Sequence, residues 1–301
     1  MIKKRSCPVC SSPSYQAKPF FEGNVDLSRI SEFSFSSRKI PEFMSHRLVQ
    51  CRNCDLVYVD TPPAVEELAE AYHRAEYDSS EEAEDAARAY ASAIAPFLHQ
   101  LTQRQSALEI GTGTGIFLDH LATSGFRNIV GIEPSRAAID TAPQERRNLI
   151  REGIFIESEF ERESFDLICC FMTMEHVHDP GELARAAFRL LRKGGAFMTV
   201  THDYRDLVNR ILGKHSPIID IEHMQLFSSQ SIKELFHLSG FEKIAVTSFV
   251  NSYSLRYWLR LSPLPDIFKN RLSHVFELPL LRNRRLSINV GNTLTVGFRG
   301  Q

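Results

Sequence analysis

Three glycines at alternate positions, Gly111, Gly113 and Gly115, follow a short apolar run over 106–110. Ile116, Phe117, Leu118 and Leu121 then keep helical spacing. The pattern is strand, tight glycine turn, helix. Glycine lets a backbone approach a ligand closely, and the helix start adds unpaired N–H groups and a partly positive end. A dinucleotide fingerprint, G-x-G-x-x-G, needs its third glycine at position 116, which is Ile. Glu109, just before the first glycine, repels a pyrophosphate and suits a cationic ligand. A second carboxylate, Glu133, ends the apolar run 128–133, 18 residues beyond Gly115. At the C-terminal edge of a parallel strand it can accept both hydroxyls of a ribose, although a dehydrogenase uses an acid there too. Ser135 suits the cap of the next helix.

Four cysteines form two C-x-x-C pairs, Cys7 with Cys10 and Cys51 with Cys54. Each knuckle aims two thiolates at one tetrahedral centre, so the set predicts zinc. The 40 residues between the pairs imply a ribbon with an inserted loop. Four thiolates leave no open position, which makes the zinc structural. Two disulfides or free thiols compete with it, and disulfides are disfavoured in a cytoplasmic chain. Asp55, after the second pair, tolerates the left-handed conformation a knuckle needs there. Cys169 and Cys170 sit in an apolar run and read as inert buried residues.

The stretch E-I-G-T-G-T-G over 109–115 resembles the first motif of class I S-adenosylmethionine-dependent methyltransferases. Further motifs follow in order: Glu133 at the second, S-F-D-L-I over 164–168 at the fourth strand, and L-L-R-K-G-G over 190–195, where Lys193 replaces the usual Pro. The piece Glu175-His176-Val177-His178-Asp179-Pro180 resembles the ubiquinone-type and sugar-modifying branches. The resemblance covers 106–249 and 291–299. It implies S-adenosylmethionine held by Glu109, Gly111, Gly113, Gly115, Glu133 and Pro134, and adenine contacts from Glu159 and Phe160 or, alternatively, Glu157. Phe171 and Met172 are then expected along the cofactor. The E-H-x-x-x-F-S piece over 222–228 resembles a loop of sugar-modifying methyltransferases, some of which carry an N-terminal zinc region. That likeness places Glu222 and His223, with His176, on the acceptor side. Members with a base there often have Tyr and His before the Glu, whereas this chain has Asp220 and Ile221, which counts against C-methylation of a keto sugar. An alcohol or enol becomes nucleophilic only as its proton leaves, and His titrates near neutral pH, so His223 or His176 suits the base.

The elements that must position these groups read as an α/β protein. A seven-stranded, doubly wound, Rossmann-like sheet is expected, with an N-terminal zinc ribbon and a C-terminal insertion before the last strand. Residues 1–61 form the ribbon, 62–105 a helical connector or lid carrying Tyr72 and Tyr77, and 106–301 the cofactor-binding unit. The sixth strand falls at 241–249 and an antiparallel seventh at 291–298. Between them, 251–290 holds Tyr253, Tyr257, Trp258, Arg256, Arg260, Pro263, Pro265 and the basic run 282–285. Aromatics with Arg suit stacking on a sugar or base and pairing with phosphate, in competition with a dimer contact or membrane-surface patch.

The 301 residues are 43% hydrophobic and 24% charged, as in an ordinary soluble protein. The longest apolar run, 167–174, is too short to span a bilayer, and no apolar signal core follows the basic start, so the reading is cytoplasmic. The net charge of −2 hides a patchwork: +5 over 1–54, −7 over 62–90 and +6 over 256–301. It leaves room for an anionic acceptor such as a nucleotide sugar. The expected function is methyl transfer from S-adenosylmethionine to a small O or C acceptor, a sugar or glycan precursor. A zinc-containing RNA methyltransferase competes, but there is no N-P-P-Y-type motif, and an overall pI of about 6.6 disfavours nucleic acid. An NAD-linked oxidoreductase and a cofactor-binding module without catalysis compete as well.

Overall fold

Near-continuous apolar runs make strands covered on both faces. Residues Phe165–Phe171 and Ser106–Ile110 are buried at every position. The computed structural model describes residues 4–36, 42–77, 80–262, 264, 266–276, 278, 281 and 284–300. In chain order its strands are β1 (Lys18–Phe21), β2 (Leu48–Gln50), β3 (Val57–Val59), β4 (Ser106–Ile110), β5 (Asn128–Glu133), β6 (Ile150–Glu152) and β7 (Phe165–Phe171). They continue as β8 (Leu191–His202), β9 (Gln225–Leu226), β10 (Glu242–Ser248), β11 (Asn251–Ser254), β12 (Arg285–Ile288) and β13 (Asn292–Phe298).

Seven strands form one sheet in the order β10-β13-β8-β7-β4-β5-β6. The five from β4 to β8 pair in parallel, and β13 lies antiparallel between β8 and β10. The chain winds outward through β5 and β6, then crosses back to β7 and β8. The switch point therefore lies between β4 and β7, where sheets of this kind open a crevice at their carboxyl ends. This is the doubly wound sheet expected from the sequence. One difference lies at 191–195, where the expected turn is drawn into a long β8. Gly194, at φ +76°, belongs to this stretch, and the register with β7 shifts there.

Two helices precede β4: α1 (Val65–Arg74) and α2 (Ser80–Leu98). Ala86, Ala87, Tyr90, Ile94 and Leu98 are the buried stripe of α2, at helical spacing. The stripe packs with Phe117, Leu118 and Leu121 of α3 (Ile116–Thr123) against one face of the sheet.

The N-terminal segment builds a second sheet, β1-β2-β3-β9, entirely antiparallel. Its fourth strand comes from far downstream, just after His223. Cys7, Val9, Cys51, Cys54 and Tyr58 share one apolar core with Leu108, Ile168 and Leu190. Arg5 donates to the carbonyls of Val59 (2.7 Å), His178 (2.7 Å) and Met224 (3.0 Å), tying three segments together. Asp55, at φ +72° as the knuckle requires, accepts from Gln50 Nε2 at 2.6 Å and Ser228 Oγ at 2.8 Å. The insertion after β10 contains the β11–β12 pair and the helices Leu255–Leu261 and Asp266–Phe276. Pro263, Pro265, Arg282 and Asn283 lie outside the described residues. Among the described residues, no helix is long and apolar enough to cross a membrane.

Candidate active site

A cavity of about 660 Å³ opens at the carboxyl ends of β4, β5, β7 and β8. Residues of α1, α2 and the insertion also line it. Glu109, Gly111, Gly113, Glu133, Pro134, Phe171 and Met172, all named from the sequence, are brought together in its walls. The glycine loop is held by the second acid. Gly113 N–H donates to Glu133 Oε2 at 2.7 Å, and Ser135 N–H donates to Oε1 at 2.8 Å. Gly111 sits at φ +77°, and a Cβ there would meet Thr173 Oγ1 at 2.1 Å. A Cβ on Gly113, at φ +57°, would meet nothing within 4 Å, so this face of the loop is open. Met172 takes φ +51°, a costly conformation for a non-glycine residue, and its N–H donates to Val200 at 2.7 Å.

Three expected cofactor residues do not line the cavity. Gly115, at φ +72°, caps α3, and a Cβ there would point at Ile150 and Leu118. Its glycine serves the turn. Glu159 ends the 3-10 turn Glu157–Glu159. Phe160 packs inward, stacked on Phe155 with ring centroids 6.0 Å apart and edge-on to Phe165 at 5.6 Å. Phe155 and Glu157 line the cavity instead, and Arg189 holds the Glu157 carboxylate.

Both acids at the glycine-loop end are buried. Burial raises the Glu109 carboxyl to about 8, opposed by Thr112, which donates to it, and reinforced by Glu133. Gly131 beside it is the glycine that makes room for Thr112, since a Cβ there would meet Thr112 Cγ2 at 2.6 Å. Burial also pushes Glu133 above its ordinary value.

At the other end the fold brings His176, Glu222 and His223 together. One ligating atom from each lies within 4.8 Å of the others. The rings of His176 and His223 are 4.7 Å apart, and His202 is 6.5 Å from His223. The Tyr72 hydroxyl lies 3.0 Å from His176 Nδ1 and 3.2 Å from the Glu222 carbonyl oxygen. His223 Nδ1 lies 2.8 Å from the Ile218 carbonyl. A carbonyl only accepts, so Nδ1 carries the proton and Nε2 is the basic nitrogen. Burial first, then His176, lowers the His223 pKa, which keeps the ring neutral at pH 7. Burial opposes ionisation of Glu175, yet its pKa falls, because the His202 side chain and then the charges of His202, His223 and His176 favour the carboxylate; the His202 backbone N–H also donates to Oε1 at 2.8 Å.

Sequence reasoning passed over His202, Asn251 and Asn292, all of which line the cavity. His202 at the end of β8 carried a signal, being an imidazole at a sheet edge. The two asparagines belong to no local pattern.

The donor set fits S-adenosylmethionine. Among the described residues the cavity wall holds no Lys or Arg, yet it includes Glu109, Glu133, Glu175, Asp220 and Glu222. A ligand with an ammonium and a sulfonium supplies the missing positive charge. The cysteine set fits zinc: Cys7 Sγ lies 3.5 Å from Cys54 Sγ, and Cys10 Sγ 3.5 Å from Cys51 Sγ. All four thiols fall within 4.8 Å of one another. Tetrahedral zinc with bonds of about 2.3 Å spaces its sulfurs by roughly 3.8 Å.

A family model described as "Methyltransferase domain" matches residues 53–246. Ubiquinone biosynthesis O-methyltransferase of Pseudomonas fluorescens (strain SBW25) is 28% identical over 120 residues, which is 36% of this chain and 50% of the relative. The protein of that name from Albidiferax ferrireducens is 30% identical over 118 residues, 36% of this chain and 46% of its own. The chain thus spans about half the length of the curated relatives it matches. The crystal structure of the YcgJ protein from Bacillus subtilis superposes with a TM-score of 0.51 at 16% identity, covering 70% of this chain and 99% of that one. It is similar in fold.

Proposed function

From the premise that the chain belongs to the methyltransferase domain family, we propose that it transfers a methyl group from S-adenosylmethionine to an oxygen or carbon acceptor, an alcohol or enol of a sugar or glycan precursor. The observation that carries this reading is one cavity joining the glycine loop and Glu133 to a neutral His223. The names of the ubiquinone relatives favour oxygen as the acceptor atom. When bound, S-adenosylmethionine supplies an electrophilic methyl group on a sulfonium sulfur.

In this reading Glu133 holds the ribose and Glu109 offsets the positive charge. Phe155 and Glu157 replace Phe160 and Glu159 beside the adenine. His223 Nε2 takes the acceptor proton, and the Glu175 and Glu222 carboxylates favour the imidazolium that forms. His176, beside Tyr72 and 3.6 Å from Glu222 Oε2, orients the acceptor. Residues 1–61 serve as a ribbon around one structural zinc at Cys7, Cys10, Cys51 and Cys54, 62–105 as the lid, and 106–301 as the catalytic unit. Calorimetry tests the reading. Wild type binds S-adenosylmethionine and S-adenosylhomocysteine but not NAD, and Glu133→Ala weakens binding by about 1.5–3 kcal/mol through lost bonds to a charged group. Absence of S-adenosylmethionine binding in wild type refutes it.

A further inference from the structure

Besides His202 Nδ1, which is itself unpartnered, four buried polar atoms on the β8–β13 side of this cavity have no hydrogen-bond partner among the described residues: Glu175 Oε2, Asn251 Oδ1, and Nδ2 and Oδ1 of Asn292. Their residues are only 1%, 4% and 1% exposed. Buried polar groups are normally paired, so a cluster of unpaired ones is a site waiting for a complement. The three residues are linked through the fold. Glu175 accepts from His202 N–H, His202 faces Asn292 across the β8–β13 ladder, and the Asn292 carbonyl accepts from Phe249 N–H at 3.0 Å, two residues before Asn251. Tyr253, Tyr257 and Trp258 stand nearby as an aromatic wall of the same cavity, with Tyr253 4.7 Å from Tyr257 and 5.4 Å from Trp258.

We propose that Glu175, Asn251 and Asn292 anchor the acceptor, and that the part entering the cavity is an uncharged polyhydroxylated ring, with any phosphate it carries left outside. This rests on the methyl-transfer reading above. The chemistry lies in the pattern of these orphans, which is three acceptors and one donor beside the His202 imidazole nitrogen, which can take either role. A hydroxyl both donates and accepts, so a polyol satisfies all four. A phosphate dianion has only acceptors and would leave the two amide oxygens without a donor and the Glu175 carboxylate facing like charge. An ammonium has only donors and would leave Asn292 Nδ2 unpaired. No Lys or Arg among the described wall residues offers a phosphate its counter-charge. An aromatic wall matches the apolar C–H face of a sugar ring.

The test is saturation-transfer NMR on full-length protein loaded with S-adenosylhomocysteine. The probes are methyl glycosides of glucose, galactose, mannose and rhamnose, with glucose 1-phosphate and glucosamine as charged congeners. We expect at least one neutral glycoside to bind at least tenfold more tightly than either congener. Asn292→Leu and Asn251→Ala should each weaken it tenfold or more, with S-adenosylhomocysteine affinity within twofold of wild type. Should Asn292→Leu lose cofactor affinity through misfolding, Asn251→Ala carries the test. The proposal is overturned if no glycoside binds, if a charged congener binds as well, or if the folded variants bind the glycoside like wild type. Failure of wild type to bind S-adenosylhomocysteine instead brings down the methyl-transfer reading itself.

Discussion

If Glu109 faces the sulfonium ligand as proposed, cofactor affinity is expected to depend on pH in a way that can be worked out from the cavity. Its carboxyl is raised to about 8, chiefly by burial. At pH 7 about nine in ten ligand-free molecules therefore hold it protonated. A cationic ligand favours the ionised form. With Glu109 back in the ordinary carboxylate range in the complex, about 0.9 proton leaves per ligand bound at pH 7. Affinity then rises about fivefold between pH 7 and pH 8, and about fiftyfold between pH 6 and pH 8, before levelling. Calorimetry of S-adenosylmethionine binding in buffers of different ionisation enthalpy counts the protons. Glu109→Gln is the control that removes the ligand's own amine titration from the comparison. The expected result is a steep pH slope in wild type and a much flatter one in the variant. The same residue acts on stability without ligand. Its folded value lies above the unfolded one, so its contribution is complete below pH 4.5 and is lost as pH rises through about 8. The melting temperature of wild type should fall relative to Glu109→Gln over that window. Equal proton release and equal slopes in the two proteins would refute the assignment.

Other outcomes follow from the same geometry. His223→Ala should lower single-turnover rate by roughly 10²–10⁴-fold with cofactor affinity unchanged, and more than His176→Ala does. Because burial depresses the His223 pKa, the acid limb of the wild-type rate profile should lie below pH 6.5, and a limb above that value would exclude His223 as base. Metal analysis of protein purified without chelator should find one zinc per chain, reduced in Cys51→Ser; finding none in wild type refutes the site. Gly111→Ala should destabilise the fold by about 1–3 kcal/mol or more, because it adds left-handed strain to the clash with Thr173. Denaturant titration measures this, and a loss below about 0.5 kcal/mol would show that the loop relaxes freely.

The cofactor end was legible because its signals are local. Gly111, Gly113 and Glu133 lie at fixed distances along one strand-turn-helix unit and the strand after it, and they line one cavity. Glu159 and Phe160 lie off the cavity for an equally local reason. A 3-10 turn spans Glu157–Glu159, and the partly buried Phe160 ring packs on Phe155 and Phe165 rather than lining the cavity. At the other end of the cavity, His176, Glu222 and His223, which the structure clusters, were singled out by the company they keep in sequence. Asn251 and Asn292 could not be found so, because their meaning lies in side-chain atoms left without a partner, and only the assembled sheet reveals that. The same holds for β9. Two residues of strand are too short for a periodic signal, and their partner in β3 lies in the ribbon.

That pairing has a consequence for how the chain reaches its native state. During synthesis β3 leaves the ribosome long before β9 exists, so the small sheet waits with an unpaired edge. The four thiols can come together early, since all of them lie within the first 54 residues. Arg5, however, must wait for both His178 and Met224 before all its carbonyls are present. Contacts of such long sequence separation form late and slow the overall rate. The loop bearing His223 adjoins β9, so it should be among the last segments to acquire protection from hydrogen exchange during refolding. A nascent chain stalled before residue 225 would display the bare β3 edge, the natural point for a chaperone to hold or for two copies to stick together.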